Sequence, residues 1–140
     1  MKTGTLFLVH AAATWFLTGL IWMVQIVHYP LFARVGAAGF QQYQLAHQSL
    51  ISRVVGPVML VEAAVAILLF ATGTAAAAAG VTLLALIWLS TAFIQVPLHN
   101  RLAKSFDPSV HARLVRTNWV RTIAWTARGA IALYMLGGTA

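Results

Sequence analysis

"LFLVHAAATWFLTGLIWMVQIV", residues Leu6 to Val27, runs without a single charged side chain. A helix that crosses a bilayer needs about 20 mostly apolar residues. Three further runs repeat the pattern: Val54 to Phe70, Gly80 to Leu98, and Trp119 to Leu136. The 140-residue chain is 61% hydrophobic and 8% charged, with a mean hydropathy of +0.84, where a soluble domain carries about a quarter charged residues. The reading is all-α: an integral membrane four-helix bundle forming one transmembrane domain over 1–140. Its helices are expected at about 5–28, 52–71, 80–99 and 118–137. The first run outlasts the roughly 7–15 apolar residues of a signal-peptide core, and no small-residue cleavage site closes it. It is therefore taken as the first span.

The chain has no cysteine, which excludes disulfides, iron–sulfur clusters and thiolate ligands. Its net charge of +7 is unevenly placed. The segments after the first and third spans carry Arg34, Arg53, Arg101, Lys104, Arg113 and Arg116 against Asp107. The other side has Lys2, while "ATGTAAAAAG" and the terminal "GGTA" are uncharged. The positive-inside rule puts both termini outside and the basic loops in the cytoplasm. The expected location is a cell membrane, the bacterial inner membrane first. Basic residues beside spans, without a solvated patch of stacking aromatics, argue against nucleic acid as a partner.

Two stretches are nearly the same sentence: "HYPLFAR" from His28 and "QVPLHNR" from Gln95. At an offset of 67, Pro30 pairs with Pro97, Leu31 with Leu98 and Arg34 with Arg101. One reading is convergence on a proline and an arginine at the membrane exit. The other is a pair of repeated helical hairpins, which would place a site at the repeat interface.

Helical spacing selects a polar stripe on each span. These are Thr14, Thr18, Gln25 and His28; Thr91, Gln95 and His99; and Asn118, Arg121, Trp125 and Arg128. The second span contributes Glu62, with His47 at its approach. Lipid cannot satisfy such groups, so they should face one another. Glu62 lies roughly 13 Å beyond Arg53, and Arg128 a similar depth beyond Trp119. An unpaired charge there is costly, so the two are expected to pair, either as a helix clamp or as catalytic groups.

His28, His47 and His99 converge from three segments and are the candidate ligands of a transition metal ion or haem b, with ordinary packing or substrate hydrogen bonding as the alternative. His10, about 27 Å along the axis from His28, cannot join them, and His111 is expected in a solvated loop. Phe40, Tyr43, His47 and Leu50 recur at helical spacing and predict a separate interfacial helix, with Gly56-Pro57 bending the chain into the membrane. A similar segment should precede the fourth span, capped by Asp107 or Ser109 with Pro108 in its first turn.

His10, Trp15, Gly19, Pro30, Arg53, Pro57 and Met59 together resemble the first two helices of the small four-helix, haem-associated membrane protoporphyrinogen oxidases. The third span carries Ser90 and Gln95 where that family has a functional lysine. Length, topology and the proline closing the first span are also similar to anthrone-oxygenase-like membrane proteins. The resemblance implies a haem-associated oxidoreductase.

From the residues, the expected function is a metal- or haem-dependent membrane oxidoreductase acting on a lipophilic, anionic or oxygen-bearing molecule. Glu62, Arg121 and Arg128 are its candidate catalytic residues. Gln25, Gln95, Asn118, Trp125 and Tyr43 are its candidate substrate and supporting contacts, and His28, His47 and His99 its metal ligands. The alternatives are a proton-coupled transporter built on Glu62 and a structural or assembly subunit. Expected partners are membrane lipid and the lipophilic substrate, with a homo-oligomer in the transport case.

Overall fold

The computed structural model describes residues 3–138. Lys2 and the last two residues of "GGTA", which enter the orientation argument, lie outside the described residues. Every regular element among the described residues is helical. The first rod joins α1 (Thr3–Met23), a π-helical turn (Val24–His28), α2 (Tyr29–Leu31) and a 3₁₀ turn (Phe32–Arg34). Then come α3 (Ala37–Phe70), α4 (Ala75–Ser90), a second π-helical turn (Thr91–Gln95), α5 (Val96–Leu102) and α6 (Pro108–Gly137).

Among the described residues, three helices are long and apolar enough to cross a membrane: Gly4–Arg34, Ala37–Phe70 and Ala75–Leu102. α6 is 30 residues long but is not one of them. It carries Arg113, Arg116, Arg121 and Arg128, so the run expected as a fourth span sits in a less apolar helix. α1 and α4 each pack against both α3 and α6.

The distribution of polarity is inside-out. Thr14, Gln44, Glu62 and Asn118 are fully buried, while Phe93 is 74% and Ile67 62% exposed. In water this would leave a continuous apolar surface uncovered. Against hydrocarbon it is the stable arrangement.

The doubled stretch is a doubled backbone device. Residues 24–28 and 91–95 are both π-helical, at the same offset of 67. Each turn closes on the residue just before a proline: Tyr29 N–H bonds the Val24 carbonyl, and Val96 N–H bonds the Thr91 carbonyl. Proline has no N–H, and its ring collides with the carbonyl four residues back in an α-helix. Widening the preceding turn removes that collision and lets each helix continue.

Two expectations are corrected. The segment with Phe40, Tyr43 and His47 is not a separate interfacial helix, because Ala37–Phe70 is one helix with Pro57 inside it. Pro57 removes a single ladder bond, and the rest of α3 holds. Likewise "DPSVHARLVRTNWVR" is the start of α6 itself. Asp107 caps it, accepting from the Ser109 and Val110 N–H groups. The Ser109 hydroxyl, then these backbone donors, hold the Asp107 carboxyl below its ordinary range. The cap therefore contributes at neutral pH and fades as pH falls through that lowered value.

α1 and α6 approach closely at Gly129. A Cβ there would stand 3.2 Å from the Trp15 ring, whose Nε1 donates to the Gly129 carbonyl at 3.1 Å. Gly129→Val should cost about 1–3 kcal/mol, read as a lower melting temperature in detergent. Gly19→Ala, where a Cβ meets nothing within 4 Å, should leave it unchanged or slightly raised.

Candidate functional site

A cavity of about 330 Å³ opens between α1, α3 and the α4–α5 rod. Its walls are apolar: Leu20, Ile21, Val24, Val55 and Met59. Its polar lining includes Tyr29 of α2, His47 of α3, Gln95 of the second π turn, His99 of α5 and Arg121 of α6. Gly56 also lines it, and a Cβ added there meets nothing within 4 Å. The volume lies in the range of small-molecule sites.

The first π turn decides which side chain faces this space. An α-helical step from Gln25 would bury His28, but the wider turn buries Tyr29 and leaves His28 half-buried. The Tyr29 hydroxyl lies 2.8 Å from His99 Nε2, and the Gln44 side-chain amide nitrogen lies 2.7 Å from His99 Nδ1. Gln48 donates to the His99 carbonyl at 3.0 Å. With the Gln44 amide donating to Nδ1, neutral His99 carries its proton on Nε2 and donates to the Tyr29 oxygen. The Tyr29 proton is then free for another acceptor. Arg121 lines the same cavity as Tyr29, its guanidinium over the Trp125 ring, 5.2 Å from its centroid.

Two of the lining residues each hold a buried atom without a partner, Arg121 Nε and Gln95 Oε1, as Gln44, Asn118 and Arg128 do elsewhere. The Gln95 orientation follows from its neighbour. Thr117 gives its hydroxyl proton to the Arg113 carbonyl at 2.7 Å, so it can only accept from Gln95 Nε2, at 3.3 Å. The Gln95 carbonyl oxygen is what remains. Both residues line the one cavity, and buried polar groups in proteins are bonded almost without exception.

The three expected metal ligands do come together. His28 Nε2 lies 2.8 Å from His47 Nδ1, and the His47 and His99 ring centroids are 5.4 Å apart. In this structure their ring nitrogens take part in hydrogen bonds. Both His99 nitrogens are engaged by Tyr29 and Gln44, and His28 and His47 bond each other. Among the described residues no group of three or more His, Asp or Glu is arranged to hold a metal ion. Tyr43 stands outside the cavity, against His28 and Phe32.

The other expected site residues lie in two separate clusters. Glu62 and Arg128 pair at 3.1 Å, both fully buried. Glu62 also accepts from Thr14 at 3.1 Å and Trp125 at 3.3 Å, and Arg128 donates to the Gly80 carbonyl. His10, far from His28, shares a small cavity with Arg128. Gln25 accepts from Asn118 at 2.8 Å and donates to the Val115 carbonyl at 3.1 Å, fastening the first rod to α6. Neither cluster lines the larger cavity, except that Trp125 touches both Glu62 and Arg121.

His111 is not in a solvated loop. It lies near the start of α6, where its Nε2 donates to the Tyr29 carbonyl at 2.7 Å and its ring meets Phe32 and Phe106. Helical spacing passes over Tyr29, whereas Gln44 shares the face of Phe40 and His47 at steps of four and three. The signal for Tyr29 is the proline that follows it. Compared with known protein families, curated proteins and solved structures, the chain matches none.

Removing one member of the buried pair leaves the other charge uncompensated. Arg128→Met should therefore cost about 3–5 kcal/mol, and the double variant with Glu62→Leu should recover most of it. Thermal unfolding of the three proteins in detergent measures the difference.

Proposed function

We propose that this chain is a four-helix integral membrane protein that binds a small lipophilic, oxygen-bearing molecule from the bilayer and moves a proton at its oxygen. The three apolar helices, with α6 as a fourth span, form two pseudo-repeated hairpins. Both termini lie outside and the basic segments face the cytoplasm. α6 can join them because Arg128 pairs with Glu62 and Arg121 stacks on Trp125, so lipid meets neither charge.

The observation that carries this reading is that two residues lining one cavity, Arg121 and Gln95, each hold a buried polar atom without a partner, beside Tyr29 and His99. An oxygen in that cavity can accept from Arg121 and from Tyr29, and a hydroxyl proton can be given to Gln95. Tyr29 is the proton donor, and His99 holds the proton that returns to it. Arg121 stabilises negative charge as it develops on the oxygen. This is the protonic half of an oxidoreduction or a tautomerisation at a carbonyl. Glu62, held by three donors, acts in this reading as an anchor rather than a mobile proton carrier.

The test begins with protein purified in mild detergent and extracted with organic solvent. Mass spectrometry should find a stoichiometric lipophilic compound that is not a phospholipid. Gly56→Leu, which fills the cavity, should lose it. Tyr29→Phe and Gln95→Leu should each weaken its retention, by up to about tenfold per hydrogen bond. Wild-type protein without such a compound, or variants that retain it equally, would overturn the reading. A haem band or stoichiometric metal that disappears in His28→Ala and His99→Ala would replace it with the metal-dependent one.

A further inference from the structure

The chain has two acidic side chains, and both are occupied within the fold. Glu62 bonds Arg128, and Asp107 caps α6. Among the described residues, no carboxylate forms an ion pair with Arg116, which is exposed on α6. It stands on an open groove of about 550 Å³ between α2 and α6, lined by Pro30, His111, Ala112, Val115, Arg116 and Trp119. The His111 bond to the Tyr29 carbonyl ties the two helices together beneath it.

An apolar strip leads from this groove toward the middle of the helices. Trp119 meets Trp22 edge to face at 5.6 Å, and the Trp22 indole is fixed by donation to the Thr126 hydroxyl at 3.0 Å. Ile26, between Pro30 and Trp22 on the first rod, and Ile123, beyond Trp119 on α6, are both exposed. A cation at one end and uncovered hydrocarbon contacts at the other match a molecule with an anionic head and a long apolar tail.

We propose that this groove binds an anionic phospholipid, with its phosphate on Arg116 and an acyl chain along Trp119, Trp22 and Ile123. The arginine supplies charge-assisted hydrogen bonds to the phosphate, and basic pockets between helices on the cytoplasmic side are suited to such heads. The inference rests on the membrane reading above but not on the cavity at Tyr29. Inorganic phosphate shares the head chemistry and lacks the tail, so the two sources separate by experiment.

The full chain in detergent micelles is mixed with phosphatidylglycerol, phosphatidylcholine or inorganic phosphate, and bound species are counted by native mass spectrometry. Phosphatidylglycerol should be retained over phosphatidylcholine. Arg116→Gln should weaken that retention roughly fivefold, the effect of one basic group at a membrane surface. Arg116→Lys should keep the preference for the anionic lipid, and Trp119→Ala should weaken retention of both lipids. Equal retention of the two lipids, or Arg116→Gln behaving as wild type, would overturn the proposal. Displacement of phosphatidylglycerol by equimolar inorganic phosphate would assign the groove to a free anion instead. The melting temperature of each variant, matched to wild type, shows that any loss is local. The compound extracted from the cavity should be unchanged in Arg116→Gln, so failure here and failure of the cavity reading are told apart.

Discussion

Pro30 and Pro97 have no backbone N–H to give, and the aim of every site residue on the first and third rods follows from that. In a regular α-helix each ring would press on the carbonyl four residues earlier and leave it without a donor. The chain answers both times with a π turn closed by the residue before the proline. A π turn inserts one residue and rotates everything beyond it relative to the helix before it. On the first rod this brings Tyr29 into the interior in place of His28. On the third, Gln95 ends the turn and His99 follows one turn later in α5. The two devices meet at the Tyr29–His99 hydrogen bond.

Polar groups inside an apolar body divide into those that hold it and those that can act. The Glu62 carboxylate takes bonds from Thr14, Trp125 and Arg128, joining α1, α3 and α6 at one point. Gln25 does the same between the first rod and α6. Such satisfied groups resist rearrangement, because breaking any one leaves a buried partner unpaired. Arg121 and Gln95 differ. Each lines the cavity at Tyr29 and holds a buried atom without a partner, whereas the unpartnered Arg128 Nη2 and Asn118 Oδ1 belong to residues away from that cavity. Preorganised, unused donors and acceptors in a dry cavity are what stabilise charge appearing on a substrate. The proposed chemistry is placed there for that reason, and not at the ion pair.

The histidines show how far chemistry-bearing residues constrain a reading. Three imidazoles meeting from separate segments are compatible with a metal, with a proton relay or with mutual hydrogen bonds. Here Gln44 and Tyr29 occupy both nitrogens of His99, and His28 and His47 face each other. In this structure the partners of His99 come from α2 and α3, and the π turn before Pro30 is what brings Tyr29 to it.

Much of this molecule was legible in the letters alone. Apolar runs with few charges dictate long helices, since a backbone surrounded by hydrocarbon must satisfy its own hydrogen bonds. The inward stripe of Thr14, Thr18 and Gln25, the burial of Asn118, Arg121, Trp125 and Arg128, and the Glu62–Arg128 pair all follow from period and charge. So does the Asp107 cap. The tertiary structure decided the rest. It ran α3 and α6 through segments that read as separate helices, because one proline or one polar stretch does not outweigh a continuous ladder. It exchanged Tyr29 for His28, because a π turn breaks the period from which faces are counted. It drew His111 onto the Tyr29 carbonyl and left Arg121 Nε and Gln95 Oε1 without partners. Those outcomes depend on which helix lies against which, and period and composition carry no information about that.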